Sequence, residues 1–380
     1  MRRRTAIAVL VLCAGIAVVR LAAWPAVRAH LQALCVLDEV GGIPQPWFSR
    51  WLTSPVTTED LNFSAPDGRI IQGRIYQPAG HPNAPGMVVL HGIDSMGIEE
   101  PRLKGFARAM AGCGLRVLTP QLPAIADYHV DSDSVQTIGE SVRWFAQRTD
   151  GRVGVMGLSF SGGLALVTAS EPQYQPYFSF VFAVGAHDSM ARVVSFYETG
   201  RDVRPDGTVE VLTPHEYGPL VLEYQHLASL VPPSDLAAVR AVMRADLYED
   251  KQAKAQAMAA LTVTQRQEID ELMQPNSPGM RAKLAPVIAG YAGEMQALSP
   301  EGHIEGLQVP VYLLHGQGDN VIPAAETLWI AKQLPPERLK GMLISPVLSH
   351  VDVDEKAPGA RDEWQLVHLF AHVLESAERR

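Results

Sequence analysis

The stretch RVGVMGLSFSGG, residues 152–163, decides the fold. Val153–Gly154–Val155–Met156 is a short apolar run of the kind that fills a strand buried on both faces. Gly157-Leu158-Ser159-Phe160-Ser161-Gly162-Gly163 follows, and Leu164–Ala165–Leu166–Val167 then reads as the start of a helix. A strand that turns into a helix within two residues crowds its own backbone. Small residues before and after the turn, here Gly157, Ser161 and Gly162, let the two elements approach. The residue at the tip, Ser159, is forced into a strained conformation with its side chain exposed, which is the geometry of a nucleophile elbow. The fifth position of that pattern is usually Gly; this chain has Ser161, with Gly162 one place later. The rival register, with Ser161 as the nucleophile, lacks a small residue other than Ser159 two places earlier.

Working outward, the same alternation recurs. Leu61–Pro66 and Arg69–Tyr76 read as strands joined by an Asp67-Gly68 turn. Gly86–Leu90 is a buried strand ending in His91-Gly92. Glu99–Gly112 reads as a helix, Leu115–Pro120 as a strand, and Asp133–Arg148 as a helix with Val135, Ile138, Val142, Trp144 and Phe145 on its apolar face. After the elbow helix, Phe178–Val184 is a strand. Val309–Leu314, Ala324–Leu334, Gly341–Ser345 and Asp362–Glu378 then read as strand, helix, strand, helix. Strands and helices alternating at this spacing predict a mostly parallel central sheet with helices on both faces. Residues 59–190 form its first part and 301–380 its second.

In such sheets, sites form where strands end at their carboxyl edge. The polar residues just after strands are His91, Ser159, His187, Asp188, His315, Asp319 and His350. A serine hydroxyl needs a base to take its proton, and the base needs a carboxylate to hold its tautomer. Asp319 lies in a Gly-rich turn after one late strand and His350 in the loop after the next. Ser159, Asp319 and His350 therefore stand in the chain order Ser, Asp, His expected of an elbow-type site. Asp188, after the strand that follows the elbow, is the competing carboxylate. His91 and His315 read as braces of their turns, and His368 and His372, four apart, as a helix face.

The strand-ending Leu90-His91-Gly92, the Gly157-to-Gly162 elbow and the run LHGQGDNVIP at residues 314–323 together resemble the motifs of the α/β-hydrolase superfamily. The resemblance covers residues 60–190 and 305–378. It implies hydrolysis of acyl groups through a covalent acyl-enzyme and does not itself give the substrate; carboxylic esters are the substrates expected. It also implies an oxyanion hole made by the backbone N–H groups of Ile93 and Phe160. Peptidase, thioesterase or amidase chemistry would use the same three side chains, and a non-catalytic ligand-binding relative is a further alternative. Dehalogenase and epoxide hydrolase relatives carry Asp at the elbow, so that chemistry is not expected.

Residues 191–300 carry no strand-like pattern and are rich in helix formers at Asp235–Met258, Gln265–Met273 and Met280–Leu298. They read as a helical cap inserted before the last strands. Met243, Met258, Met273, Met280 and Met295 would suit either a pliable wall for acyl chains or plain helix packing.

At the amino terminus, Arg2, Arg3 and Arg4 precede the apolar run Ala6–Val19. A basic head before an apolar run is an export signal. Residues 1–25 are expected to remain as a membrane anchor, the span being completed to about 20 residues by counting through Arg20 to Trp24. Cleavage at the weak Val27-Arg28-Ala29 motif, with secretion, is the alternative. Either outcome places the catalytic domain outside the cytoplasm. Residues 26–58 read as a connector, with a short helix at Ala26–Leu37, that packs on the domain or lies at the membrane surface.

The chain has 380 residues and a formal net charge of −9, with no long basic run beyond the first residues. Phosphate binding needs clustered Lys and Arg, so nucleic acid is not an expected partner. Cys13, Cys35 and Cys113 form no disulfide framework and no zinc spacing. No metal and no cofactor are expected; the expected partner is a small ester with an apolar acyl group.

Overall fold

The computed structural model describes residues 24–149, 151–275, 277–348 and 359–378. The amino-terminal segment 1–23, on which the expected anchor falls, and His350, the expected base, lie outside the described residues.

Helix α1 spans residues 24–40. Strands β1 (Val56–Ser64) and β2 (Ile70–Pro78) pair antiparallel across the Asp67-Gly68 turn. The chain continues through β3 (Gly86–Leu90), α2 (Pro101–Gly112), β4 (Arg116–Pro120), α3 (Pro123–Ala126), α4 (Ser132–Ala146), β5 (Val153–Leu158), α5 (Phe160–Ser170) and β6 (Phe178–Val184). The inserted region holds α6 (Met190–Thr199), β7 (Arg201–Val203), β8 (Val209–Val211), α7 (Tyr217–Gln225), α8 (Leu227–Leu230) and α9 (Leu236–Leu247). It then adds α10 (Lys251–Ala260), α11 (Val263–Leu272), α12 (Pro278–Gly290) and α13 (Ala292–Ala297). The chain returns through β9 (Val311–Gly316), α14 (Ala325–Gln333), β10 (Leu339–Ser345) and α15 (Ala360–Glu378).

Eight strands form one sheet in the order β1-β2-β4-β3-β5-β6-β9-β10. The β1–β2 and β2–β4 pairs are antiparallel and the other pairs are parallel, as the apolar runs imply. Alternation along each strand sorts side chains to two faces. Val88, Leu90, Val155, Ala183 and Leu313 pack on one side with α4 and α5. Met87, Val89, Met156, Phe182 and Leu314 pack on the other with α1, α2 and α15.

Two expectations change. The inserted region is not strand-free: β7 and β8 form a hairpin around Asp206-Gly207, a turn pair flanked by short β-branched runs. The helix expected over Asp235–Met258 is also two helices, broken where Glu249 takes φ 54°. The cap helices bury a core of their own, with Tyr224, Val242, Met243, Leu247 and Met280 at its centre. Met258 and Met273 pack against that cluster, and Met295 joins the main core. The five cap methionines therefore serve helix packing.

Candidate functional site

The elbow is built by sterics. Ser159 sits at φ 56° and ψ −133° between β5 and α5, a conformation that costs a non-glycine residue about 1–3 kcal/mol. The turn closes because Gly157 has no side chain: a Cβ there would lie 2.4 Å from the Ser161 carbonyl oxygen. The Ser159 N–H donates to Val184 O (2.8 Å) and its carbonyl accepts from the Gly162 N–H (2.9 Å), which locks the tip between β6 and the first turn of α5. Gly92 faces it from the end of β3, with a hypothetical Cβ only 3.5 Å from Ser159 Cβ. Ser161, the rival nucleophile, is fully buried and donates its hydroxyl to His91 O (2.6 Å). It ties the end of β3 to the elbow and leaves Ser159 as the half-exposed hydroxyl.

Parallel pairing brings the other candidates to the same edge. Leu90 pairs with Gly157, Leu158 with Val184, and Val184 with Leu314. Asp319 follows β9 in a turn and is buried. Its Oδ1 accepts from the N–H groups of Val321 and Ile322, both at 2.9 Å. Its Oδ2 lies 3.5 Å from His315 Nε2 and 3.7 Å from where a Cβ on Gly185 would be. Gly185 directly follows Val184, whose carbonyl holds Ser159. The hydroxyl and the carboxylate thus flank the same end of β6.

Asp188 faces elsewhere. Its Oδ2 accepts from Arg192 and Gln333, both at 2.7 Å, in a buried ion cluster with Glu326. Burial, then the neighbouring Glu326 carboxylate, pushes its carboxyl up to about 7 despite Arg192. Glu326 accepts from the N–H groups of Asp188 and Ser189, both at 2.8 Å. The cluster fixes the loop after β6 against α14 rather than presenting a carboxylate beside the elbow.

The histidines at strand ends act as braces. Leu122 N–H donates to His91 Nε2 (3.0 Å), so Nδ1 donates to Gly92 O (2.8 Å). Burial holds that imidazole below its ordinary range. His315 bonds the Thr327 hydroxyl at 2.7 Å through Nδ1 and Ile322 O at 2.8 Å through Nε2. Burial opposes its charge, but the adjoining Asp319 carboxylate raises its pKa overall. His187 donates from Nε2 to Leu298 O (2.9 Å), and burial lowers it to about 4. His368 and His372 lie on α15 and bond each other at 3.1 Å.

Ile93 and Phe160, the expected oxyanion donors, line one cavity. The Phe160 amide opens α5 and, like all first-turn N–H groups, has no partner inside the helix; the helix dipole adds to its pull on an anion. The cavity measures about 30 Å³ and is walled by Val130, Met190, Val193, Val194, Tyr197, Tyr217, Gly218, Val221, Leu222, Gln225 and Val321. Among these described lining residues none is charged. Tyr217 donates to Ile93 O (3.3 Å), fastening the cap to the loop after β3. The cap also grips the acid turn: His215 N–H donates to Asn320 O (2.9 Å) and Asn320 Nδ2 to Thr213 O (3.2 Å). Sequence reasoning missed Tyr197 and Tyr217. The apolar spacing of Met190, Val193, Val194 and Tyr197 marks one face of α6 but carries no sign of what it lines.

Residues 125–347 match the family profile described as X-Pro dipeptidyl-peptidase (S15 family). Among solved structures, the chain is similar to brefeldin A esterase, a bacterial homologue of human hormone sensitive lipase. Identity there is 17%, over 92% of this chain and 87% of that one, with a TM-score of 0.51. It is also similar to the Pyrococcus horikoshii acylaminoacyl peptidase, at 14% identity over 86% of this chain, with a TM-score of 0.50. The chain spans 42% of that peptidase's length. No curated protein matches in sequence.

Proposed function

This chain is an α/β-hydrolase and belongs to the X-Pro dipeptidyl-peptidase (S15) family, and from that premise we propose that it is a serine hydrolase cleaving carboxylic esters with an apolar acyl group. Ser159 attacks the acyl carbon, His350 takes the hydroxyl proton and returns it to the leaving alcohol, and Asp319 orients the imidazole. The amides of Ile93 and Phe160 stabilise the oxyanion, each contributing on the order of 10²–10³ in rate. Water then releases the acid from the acyl-enzyme. No cofactor enters this sequence. Residues 1–25 hold the domain at a membrane, outside the cytoplasm.

The observation that carries the ester reading is the cavity beside the elbow, whose described walls hold no charge. A methyl-sized end of an acyl group, all that about 30 Å³ takes, enters such a space without desolvating an ion, whereas the free ammonium of a peptide substrate needs a carboxylate. A peptidase is the second reading, and two observations favour it: the family match, and Glu223. Glu223 follows the cavity residue Leu222, is fully buried, has no partner among the described residues on either carboxyl oxygen, and is pushed up to about 8 by burial. An ammonium brought against it would ionise it.

A panel of p-nitrophenyl esters of increasing acyl length, run beside X-Pro p-nitroanilides, separates the two. The ester reading expects the highest kcat/KM on an ester. A higher value on an X-Pro anilide, lost in Glu223→Gln, replaces it with the peptidase.

A further inference from the structure

Helix α7 and the loop between α3 and α4 change surroundings at the same place. Tyr217, Gly218, Val221, Leu222 and Gln225 recur at helical spacing along one face of α7 and line the small cavity beside the elbow. The next residue, His226, lines a second cavity of about 490 Å³, and Gln225 lines that one too. In the loop, Val130 lines the small cavity, while its neighbours His129 and Asp131 line the large one. Gln225 and Val130 are therefore the residues at which the wall of one cavity becomes the wall of the other.

Those two residues are bonded to each other. The Val130 N–H donates to Gln225 Oε1 (3.3 Å), and Gln225 Nε2 donates to Val130 O (3.1 Å). A side-chain amide supplies both the acceptor and the donor that this backbone needs; a carboxylate could only accept and an ammonium only donate. The pairing satisfies the wall's own polar groups and pins the amide across the gap between helix and loop. The chambers on either side differ in chemistry. The small one has no charged residue among its described walls and measures about 30 Å³. The large one is lined by Asp127, His129, Asp131, His226, Arg240 and Glu294.

We propose that Gln225 is the residue that limits acyl length: its side chain closes the end of the acyl cavity, so the preferred substrates are esters of acids the size of acetic acid. This rests on the ester hydrolase reading above. With the wall in place, the small cavity receives a methyl-sized group. A longer chain must either stay in water or push Gln225 aside and break its two bonds to Val130. Beyond that wall stand ionisable side chains, and an alkyl chain gains nothing by desolvating them.

The test measures kcat/KM of the full chain on p-nitrophenyl acetate, butanoate and octanoate. The wild type is expected to be fastest on the acetate. Gln225→Ala removes everything past Cβ, and it should raise the butanoate-to-acetate ratio by roughly 15-fold, about fourfold for each methylene that gains an apolar place. Gln225→Met keeps the bulk but neither bond, and should leave the ratio near the wild-type value. A wild-type optimum on butanoate or octanoate overturns the proposal without recourse to any variant. An unchanged ratio in a folded Gln225→Ala chain also overturns it. So does an equal rise in Gln225→Met, which assigns the effect to the lost bonds rather than the lost bulk. Fluorophosphonate labelling of Ser159 is measured on the same samples. Labelling with the wrong length profile removes the length limit alone, whereas no labelling and no ester hydrolysis removes the hydrolase reading beneath it.

Discussion

The catalytic edge and the cap over it are held together by different forces. At the edge, backbone sterics leave one residue type for each place: a Cβ on Gly157 meets a carbonyl oxygen at 2.4 Å, and one on Gly162 meets the Gly157 carbonyl at 2.9 Å. In the cap, the fit is made by adaptable side chains. Met243 and Met280 fill its centre, Met258 and Met273 pack against it, and α10 buries no residue. A site that must hold a hydroxyl and a carboxylate in register needs the first kind of construction. A cap core packed by flexible side chains needs no such register. The contrast predicts that conservative changes at the edge are severe and those in the cap graded.

The largest expected effect falls on the acid. Asp319→Asn should lower kcat by about 10⁴-fold, the order expected when an imidazole loses its orienting carboxylate. Asp188→Asn should lower it far less, because that carboxylate is spent on Arg192 and Gln333. Kinetics on one ester compare them directly, and a larger loss in Asp188→Asn reassigns the acid.

Next is Gly157→Ala. Forcing a methyl against the Ser161 carbonyl should destabilise the fold by about 1–3 kcal/mol and displace the elbow, read as a lower Tm together with lost labelling. The matching change in the cap, Met258→Ala on the half-buried rim of its core, should leave the elbow and its labelling intact. Equal loss of labelling in both variants breaks the contrast between the two regions.

The effect expected to touch catalysis least is a pH dependence of stability. Glu223 rises from 4.5 to about 8 on folding, and Asp188 and Asp202 rise from 3.8 to about 7 and about 6, all chiefly through burial. Between their ordinary and folded values these groups are ionised in the unfolded chain and protonated in the native one. The native state therefore binds more protons there, and stability falls as pH rises, by at most about 1.4 kcal/mol per unit for each group. Glu223→Gln should flatten that fall between pH 4.5 and about 8, and denaturant melts across that range check it. A slope unchanged by the substitution removes Glu223 from the explanation.

The same contrast explains what the sequence made readable. The parallel strands stood out because burial on both faces demands an unbroken apolar run, as in Met87–Leu90 and Phe180–Ala183. The elbow stood out because only small residues fit around Ser159. Asp319 was legible from its Gly-rich turn, and its bonds to the Val321 and Ile322 amides show what the turn is for. The cap resisted because helix-forming residues set no boundaries: nothing in Tyr248-Glu249-Asp250 announces a break, and Glu249 bends there by adopting a positive φ. The hairpin at Asp206-Gly207 was missed for its brevity. Its purpose depends on contacts far along the chain, where Asp202 accepts from Ala325 N–H and Val203 O from Trp329. Glu223 carries no signal in the sequence, and only the packed cap reveals a carboxyl without partners among the described residues.

The central claim is that Ser159 is the reacting hydroxyl. The most direct measurement treats the full chain with a fluorophosphonate and locates the adduct by mass spectrometry of its peptides. The account predicts one modified residue, Ser159, with modification abolished in a folded Ser159→Ala variant. An adduct on Ser161, or none on Ser159 in a folded wild-type chain, contradicts it.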